Sequence, residues 1–392
     1  MRSITENCRS GNKILLVANT DWYLFNFRLS LAQELTQEGF EVLFVCPPDE
    51  YSKGIQEAGF RLIAWELERQ TAPVWDELRS IYKLYKIYRD EKPCLVHHFT
   101  IKPILYGSFA ARLAGVQAVI NSITGRGYIF QDSTGKPVFL RPLTELMFRT
   151  VYKGLKAATT FENVSDMVFF TENGLVPKER NWLINGVGVD TDWFQYAPEQ
   201  PADELLVVFP GRLLWSKGVG VLVEAARILK ARLPVRIVLI GRPDPGNPET
   251  ISEEVIRDWE SEGVIEWWGW QSSMREIYHQ SHVVVLPSMG EGLSKALLEA
   301  LSCGRPIVAT DVPGCREVVI PGVTGYLVPP NDIEALAEKL ERLCKNPDLR
   351  HQMGLSGRRL AEEEFTDVKI NREIKKIYTL MLDPSQSPHR RL

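Results

Sequence analysis

The sequence has no long apolar run and no closely spaced pair of cysteines. No stretch of about 18 consecutive apolar residues occurs among its 392 residues, so we expect no membrane-spanning helix. The formal net charge is only −4, so charge does not indicate a nucleic-acid partner. The cysteines are scattered, which favours reduced thiols over a disulfide framework or a zinc site: Cys8, Cys46, Cys94, Cys303, Cys315 and Cys344.

The amino-terminal residues also lack the apolar core of a secretory signal. Residues 1–12 are polar, and the apolar pattern at residues 13–18 is typical of a buried strand and too short for such a core. We therefore expect a cytoplasmic protein. The chain is too long for one ordinary core and fits two domains of about 190 residues each.

Two glutamates eight positions apart, Glu291 and Glu299, follow a strand-like apolar run at residues 283–286. Ser294 is placed to cap a helix that begins at Lys295, whose first backbone N–H groups would receive phosphate oxygens. The two carboxylates would accept hydrogen bonds from sugar or ribose hydroxyls. The pattern predicts a sugar-nucleotide site, although a capped surface helix with ordinary glutamates is the alternative interpretation.

A second glycine-rich loop carries two cations. Gly211, Arg212, Lys217 and Gly218 lie between an apolar run at residues 205–209 and a predicted helix at residues 219–230. Glycine lets the backbone approach a ligand, and the two cations would neutralise a diphosphate. Two basic residues in a loop are common, but together with the glutamate pair they form a specific pattern.

With these two motifs, and with the stretches at residues 311–319 and 325–329, the chain resembles the retaining nucleotide-sugar glycosyltransferases of family four. That resemblance implies the GT-B fold, two Rossmann-like α/β domains with doubly wound parallel sheets that face a cleft. It implies that Arg212 and Lys217 hold the donor diphosphate, that Glu299 binds the nucleotide ribose and that Glu291 faces the transferred sugar. The remaining donor-side candidates are Gly211, Arg242, Leu293 and Ser294.

The resemblance also implies a mechanism. It predicts retention at the anomeric carbon, and because no covalent nucleophile is assignable, our working hypothesis is same-face attack within an ion pair. UDP is the commoner nucleotide for the relevant members of the family, although the residues themselves do not exclude GDP or ADP. A uracil is expected to meet backbone near Arg242 and residues 267–270, and packing between domains is the alternative interpretation for the tryptophans there. Since Arg212 and Lys217 already supply positive charge, no metal or other cofactor is expected.

Apolar runs alternate with helical patterns along both halves of the chain, which predicts parallel sheets built from right-handed crossovers. Proline and polar residues break the periodicity between residues 190 and 203. We therefore predict an acceptor-side domain at residues 1–195 and a donor-binding domain at residues 196–367. A helix at about residues 368–392 is expected to pack back on the first domain.

The loop at residues 19–28 resembles that of family members that extend undecaprenyl-diphosphate-linked sugars, and it replaces the glycine pair of many relatives. Residues 97–103 and 123–130 match the same subset, and each is predicted to follow a strand end. The predicted acceptor-side residues are Asp21, Trp22, Arg28, Thr100, Lys102, Gly125 and Gly127. Packing within the loop is the alternative interpretation for its aromatic residues.

His98 is a further catalytic candidate. In several relatives a histidine near this strand end contacts the donor sugar, but strict register places Phe99 there, so His98 would have to take over the role. A histidine at a strand end is as often a hydrogen-bonded structural residue as a catalytic one. Lys102 is a candidate partner for an anionic acceptor.

Local charge suggests contact with a membrane surface. Residues 79–156 contain thirteen Lys and Arg against four acidic residues, and residues 138–153 mix large apolar side chains with cations. A core-facing helix with a solvated basic face is the alternative. We expect a protein at the inner face of the plasma membrane, because an acceptor with a lipid tail requires contact with the bilayer.

The sequence therefore predicts transfer of a hexose or N-acetylhexosamine from a UDP-sugar to a polyprenyl-diphosphate-linked saccharide in cell-surface glycan synthesis. Two other functions are compatible with the same fold. One is a UDP-sugar 2-epimerase, which needs no acceptor. The other is a catalytically silent sugar-nucleotide-binding partner of a polysaccharide assembly complex.

Overall fold

The computed structural model describes residues 11–67, 73–130 and 137–383. The chain divides into two compact units, one formed by Met1–Val187 with Ile370–Leu392 and the other by Gly188–Lys369. Each unit contains one parallel sheet with helices on both faces. Within the described ranges, no helix is both long and apolar enough to span a bilayer.

The first unit is built on a seven-stranded parallel sheet with strand order β3-β2-β1-β4-β5-β6-β7. Short apolar segments form its strands, and the central ones are buried on both faces. The strands are β1 (Lys13–Val17), β2 (Glu41–Cys46), β3 (Arg61–Ala64), β4 (Leu95–Phe99), β5 (Ala118–Ile123), β6 (Ala157–Phe161) and β7 (Asn181–Leu183).

Alternate residues of β1 point into two separate cores of this unit. Ile14 and Leu16 face one core, and Leu15 and Val17 face the other, as the two-residue period of a strand requires. The helices are α1 (Asp21–Gln37), α2 (Ser52–Glu57), α3 (Val74–Glu91), α4 (Ile101–Ala114), α5 (Pro137–Val151) and α6 (Val164–Glu172), and the carboxyl-terminal α13 (Asp367–Leu382) belongs to the same unit from Ile370 onward. Residues of α1 and α13 belong to the first core, and residues of α3, α4, α5 and α6 to the second.

The division between the units differs from the predicted boundary at residues 195 and 196. Residues 188–195 belong to the second unit, because the Val189 N–H donates to the Phe365 carbonyl (2.8 Å) and the Asp367 N–H donates to the Val189 carbonyl (3.1 Å). Gly188 lies so close to Asp367 that a methyl group there would be 2.5 Å from its Cα atom. Proline and polar residues marked an irregular segment, but they did not show which unit holds it.

The second unit is built on a six-stranded parallel sheet with strand order β10-β9-β8-β11-β12-β13. Its strands are β8 (Leu205–Pro210), β9 (Val235–Ile240), β10 (Glu266–Gly269), β11 (Val283–Leu286), β12 (Ile307–Thr310) and β13 (Gly325–Val328). Its helices are α7 (Val219–Lys230), α8 (Glu253–Ser261), α9 (Met274–Gln280), α10 (Lys295–Ser302), α11 (Ile333–Lys345) and α12 (Pro347–Glu364).

The strand orders locate the point in each sheet where the winding reverses. In the first unit β1 pairs with β4, and in the second β8 pairs with β11. Ligands of doubly wound sheets bind beside such a point, outside the carboxyl ends of the strands. We therefore expect a ligand site in the loops that follow β8 and β11 in the second unit, and in those that follow β1 and β4 in the first.

Candidate active site

The loops after β8 and β11 of the second unit are held against each other by backbone contacts. The Met289 N–H donates to the Ser216 carbonyl (2.8 Å). Gly218 has φ +74° and immediately precedes α7, and a methyl group there would lie 1.9 Å from the Pro287 carbonyl oxygen. Only glycine fits at this position, and the close approach brings Lys217 and Glu291 together.

Lys217 and Glu291 form a bidentate ion pair. The Lys217 ammonium donates to both carboxylate oxygens of Glu291, at 2.6 and 2.7 Å. The Glu291 N–H donates to the Pro313 carbonyl, and a methyl group at Gly314 would lie 2.5 Å from the Glu291 Cβ atom. The turn after β12 therefore packs against the backbone and Cβ atom of Glu291, and Lys217 binds its carboxylate.

Glu299 lies inside α10 and has one hydroxyl partner that the sequence did not indicate. The Tyr278 hydroxyl lies 3.2 Å from Oε2 of Glu299 and 3.1 Å from the Ala296 carbonyl oxygen. Burial raises the pKa of Glu299, and the attraction of Lys295 and the Tyr278 hydrogen bond oppose that shift. The site thus contains a carboxylate that is protonated more easily than an ordinary glutamate.

The amino terminus of α10 differs from the prediction in one respect. The helix begins at Lys295 as expected, but the Ser294 side chain makes no capping hydrogen bond. Ser294 is buried, and its N–H donates to the Gly314 carbonyl at 3.4 Å, so the residue is held against the turn after β12. Leu293 is buried beside it in the core of the unit.

The remaining donor-side candidates lie at the carboxyl ends of β8 and β9. Gly211 donates to the Ile240 carbonyl, and the Arg242 carbonyl accepts from Leu213, while the Arg242 side chain is exposed. Arg212 is half-exposed and pairs with Asp244 at 2.7 Å. The two predicted diphosphate cations, Arg212 and Lys217, are thus each paired with a carboxylate.

The predicted loop at residues 19–28 of the first unit is instead helical from Asp21, because the Thr20 hydroxyl caps α1 by accepting the Tyr23 N–H. Asp21 is buried, and its carboxylate accepts the N–H groups of Asp49 and Tyr51 (2.8 and 3.0 Å). It ties the loop after β2 to α1, which contradicts the prediction that it faces an acceptor. Trp22, at 42% exposure, remains accessible.

Arg28 is also buried, in an aromatic and polar environment. Its guanidinium donates to the Tyr23 hydroxyl (2.6 Å), lies over the Phe99 ring (4.4 Å) and approaches the Glu162 carboxylate at 3.8 Å. Arg28 therefore joins the ends of β4 and β6 to α1. All of these partners of the Arg28 guanidinium belong to the first unit.

His98 is completely buried, which contradicts its predicted position facing a substrate. Its Nε2 lies 2.9 Å from the Tyr88 hydroxyl and its Nδ1 lies 2.8 Å from Oδ1 of Asn121. A methyl group at Gly107 would collide with the ring, so α4 closes over it. Burial lowers the pKa of His98 to about 4, and the residue is a neutral, hydrogen-bonded part of the core.

Thr100 follows β4 in an uncommon backbone conformation, with φ +71°. Its hydroxyl oxygen is buried and, within the ranges that the structure describes, has no hydrogen-bond partner. Lys102 pairs with Glu77 of α3 at 2.9 Å, so its ammonium already has a partner before any anionic acceptor binds. Gly125 and Gly127 both have positive φ, and a methyl group at Gly127 would lie 3.0 Å from Ile101.

The structure thus brings together the predicted donor-side residues within the second unit. In the first unit, Thr100, Gly125 and Gly127 lie in neighbouring loops, whereas Asp21 and His98 have structural roles. Sequence reasoning missed Tyr278 and Asp244, because only the fold shows that they contact Glu299 and Arg212. Among the described residues, no group of three His, Cys, Asp or Glu could hold a metal ion.

Two family models match the chain. The model described as "Glycosyl transferase 4-like" matches residues 13–155, within the first unit. The model described as "Glycosyl transferases group 1" matches residues 193–360, within the second. Together they include every strand of the second sheet and β1 to β5 of the first.

Individual relatives agree with the family models. The chain is 26% identical over 339 residues to the N,N'-diacetylbacillosaminyl-diphospho-undecaprenol alpha-1,3-N-acetylgalactosaminyltransferase of Campylobacter jejuni, covering 83% of this chain and 88% of the relative. It is 27% identical over 327 residues to the UDP-Gal:alpha-D-GlcNAc-diphosphoundecaprenol alpha-1,3-galactosyltransferase of Escherichia coli, covering 78% and 80%.

The fold is similar to that of solved glycosyltransferase structures. Anabaena HepE, crystallised in complex with UDP, superposes with a TM-score of 0.75 at 17% identity, over 93% of this chain and 98% of HepE. A likeness at this identity concerns the fold. The superposition shows the GT-B fold, and the two family models show that the chain belongs to the group 1 and 4-like glycosyltransferases that they describe.

Proposed function

We propose that this protein transfers a hexose or N-acetylhexosamine from a UDP-sugar to a hydroxyl of a polyprenyl-diphosphate-linked saccharide, with retention, during cell-surface glycan synthesis. The observation that carries the proposal is the Lys217–Glu291 pair beside the amino terminus of α10. The Campylobacter and Escherichia relatives support the acceptor, since both are named for undecaprenol-diphosphate-linked sugars. UDP is named with the Escherichia relative and in the HepE complex.

The donor diphosphate is the ligand that best suits this set of groups. Lys217 would act as a point charge and Arg212 as a planar donor, each exchanging its present carboxylate partner for phosphate oxygens. The first N–H groups of α10 have no partner inside the helix, and a phosphate would also be stabilised there. Glu299 would accept hydrogen bonds from the ribose hydroxyls, with Tyr278 fixing its orientation.

In the proposed reaction, the bond between the anomeric carbon and the diphosphate oxygen breaks while the acceptor hydroxyl oxygen attacks the anomeric carbon from the same face. The hydroxyl proton passes to the leaving diphosphate oxygen. Lys217, Arg212 and the α10 terminus stabilise the negative charge that develops on the leaving diphosphate, which lowers the barrier more than it stabilises the bound donor. Glu291, supported by Gly314, would orient the sugar. The two cations make a metal ion unnecessary in this scheme.

The acceptor requires the protein to work at a bilayer, because its lipid tail stays in the membrane. The basic segment that includes α5 supports such contact, with exposed Leu143, Leu146 and Arg149. We therefore place the protein at the cytoplasmic face of the plasma membrane. The buried hydroxyl of Thr100, at the end of β4, is the acceptor-side group that has the clearest capacity for a new hydrogen bond.

The test is release of UDP from a panel of UDP-sugars, with and without an undecaprenyl-diphosphate-linked monosaccharide in detergent, followed by product analysis. We expect release that depends on the acceptor and is lost in Lys217→Ala and Glu299→Ala, with the fold of each variant checked by circular dichroism. Conversion of the donor without acceptor would favour the 2-epimerase. UDP binding without any release would favour a catalytically silent partner.

A further inference from the structure

The loop after β9 lies along the loop after β8 and is held to it by backbone contacts. Gly241 begins the β9 loop with φ +142°, and a methyl group there would lie 1.9 Å from the Gly211 carbonyl oxygen. Further along, the Trp215 N–H donates to the Glu249 carbonyl at 2.9 Å. Because β9 and β11 lie on opposite sides of β8 in the sheet, the β8 loop is held from one side by the β9 loop and from the other by the β11 loop.

Asp244 lies in the β9 loop, and its backbone is anchored there. Its N–H donates to the Thr250 hydroxyl (2.8 Å), and its carbonyl accepts the Asn247 N–H (2.9 Å). The Asp244 carboxylate accepts Nη1 of Arg212 at 2.7 Å, and the side chains of the two residues are 11% and 52% exposed. The acid is therefore the fixed member of the pair, and the half-exposed arginine is the member that can turn toward a ligand.

Stability alone gives little reason for the Arg212–Asp244 pair. Water screens an ion pair whose arginine is half-exposed, so such a pair contributes little to the free energy of unfolding. The pair has a larger effect on a ligand. A diphosphate that binds the Arg212 guanidinium takes the cation away from Asp244, but the anchored backbone keeps the carboxylate beside the site. The bound diphosphate therefore lies near a negative charge that has lost its partner.

The donor and the product of the proposed reaction differ in charge. The diphosphate of a UDP-sugar is esterified at both ends and carries one negative charge on each phosphate. Transfer breaks the bond to the anomeric carbon and leaves UDP, whose terminal phosphate ionises a second time near a pH of about 6, as other phosphate monoesters do. At neutral pH the product therefore carries almost one more negative charge than the donor.

We propose that Asp244 is a specificity-determining residue that weakens the binding of UDP relative to the binding of a UDP-sugar. Its anchored carboxylate repels the additional charge on the terminal phosphate, so the product leaves the site more readily than the donor. Glu291 lies on the other side of the β8 loop, but it is also proposed to orient the sugar, so Asp244 is the residue at which the effect of charge can be measured separately. This inference rests on the proposed function, because it takes UDP as the product.

Calorimetric titration of the full-length protein with UDP and with the methyl ester of its terminal phosphate tests the proposal. The ester keeps the diphosphate, lacks the additional charge and carries no sugar. Asp244→Asn should tighten UDP binding more than ester binding, with a change of about fivefold in the ratio of the two affinities, because one like charge is removed from a partly exposed site. The loss of competition for Arg212 affects both ligands equally, so only the repulsion changes the ratio.

Three further variants separate charge from structure. Asp244→Glu keeps the charge and should keep the wild-type ratio, whereas Asp244→Ser removes the charge without adding an amide and should change the ratio as Asp244→Asn does. The matched control is Glu341→Gln, because Glu341 is 18% exposed and pairs at 2.8 Å with the half-exposed Arg232 elsewhere in the second unit. This control should change neither affinity. In the transfer assay, Asp244→Asn should also make product inhibition by UDP stronger.

Two results would overturn the proposal. One is an unchanged ratio in both Asp244→Asn and Asp244→Ser, since Asp244 would then only compete for Arg212. The other is weaker binding of both ligands by these variants, since Asp244 would then orient Arg212 toward the diphosphate. The proposed function is tested separately: a changed ratio without sugar transfer by the wild type would refute the transferase alone, and transfer with an unchanged ratio would refute the role of Asp244 alone.

Discussion

Replacing Glu291 by glutamine is expected to tighten the binding of UDP while it lowers the rate of sugar transfer. Lys217 now donates to both oxygens of the Glu291 carboxylate, and the side chains of the pair are 18% and 13% exposed. A diphosphate that binds Lys217 must compete with this carboxylate. Glutamine keeps one acceptor oxygen but removes the negative charge, so the competition becomes weaker.

The size of the effect follows from the pair. A hydrogen bond to a charged group contributes about 1.5–3 kcal/mol net, and glutamine keeps about half of that contribution. The competing interaction therefore falls by about 0.75–1.5 kcal/mol, which corresponds to UDP binding that is roughly fourfold to twelvefold tighter. Sugar transfer should slow, because Glu291 would no longer orient the sugar as a carboxylate.

Isothermal titration calorimetry with UDP and with UMP is the assay. If Lys217 contacts the second phosphate, Glu291→Gln tightens UDP binding and leaves UMP binding almost unchanged. Glu266→Gln is the matched control, since Glu266 forms a bidentate pair with Arg236 at 2.7 Å in the same unit. Unchanged or weaker UDP binding by the Glu291 variant would refute the exchange of partners at Lys217.

Three further predictions concern other parts of the two units. Tyr278→Phe removes the hydrogen bond that opposes the raised pKa of Glu299, so the pH below which UDP-sugar affinity is lost should move upward. His98→Phe should lower the free energy of unfolding at neutral pH by about 2–3 kcal/mol, since Tyr88 and Asn121 lose their partner, with little change in the turnover of the folded protein. Thr100→Gly should raise the thermal midpoint, because strain of about 1–3 kcal/mol is relieved, and Thr100→Ala should not relieve it. Both Thr100 variants should slow transfer to the acceptor without changing UDP affinity.

The expected pH dependence of stability follows from the sign of each shift. The pKa of His98 lies near 4 in the folded protein and near 6.5 in an unfolded chain, so its neutral form stabilises the fold above pH 6.5. That contribution, roughly 3 kcal/mol, is lost as the pH falls from 6.5 through 4, and His98→Phe should show a correspondingly smaller loss in urea titrations. An unchanged pH dependence would contradict the assignment of His98 to the core.

The predictions for Tyr278 and Thr100 can each be contradicted by one measurement. If the affinity of Tyr278→Phe for a UDP-sugar has the same pH profile as the wild type, the Tyr278 hydroxyl does not influence Glu299 when donor is bound. A UDP-sugar is the suitable probe, because its diphosphate does not titrate in the relevant range. If Thr100→Gly unfolds at a lower temperature than the wild type, the backbone at Thr100 carries no strain.

The second unit was the more predictable from sequence. The helix at residues 219–230, the strand at 283–286 and the start of α10 at Lys295 were all predicted at their observed bounds. Their signals are local: an apolar run gives the strand, Gly218 gives the turn and a polar residue precedes the helix. The loops after β8 and β11 each contain part of the motif, so the pattern could be recognised without their contact.

The first unit contained residues whose roles depend on distant partners. Asp21 binds backbone groups 28 and 30 positions away, and His98 binds Asn121, which lies on the neighbouring strand. A buried strand-end histidine and an exposed one have the same local sequence pattern, so only the packing of α3 and α4 decides between them. The start of α1 was missed for a different reason, since aromatic residues at 22–27 gave no clear helical period.

The pairing of Lys217 with Glu291 shows how the proposed donor site is ordered before a ligand binds. An unpaired charge in a partly buried position is costly, and here the loops that follow the paired strands β8 and β11 supply opposite charges to each other. A diphosphate that binds as proposed would have to displace Glu291 from Lys217, so its net affinity would be smaller than the new contacts alone would give. In the proposed function, this exchange would release the Glu291 carboxylate only when a diphosphate is present, and it would thereby couple the orientation of the sugar to the binding of the donor.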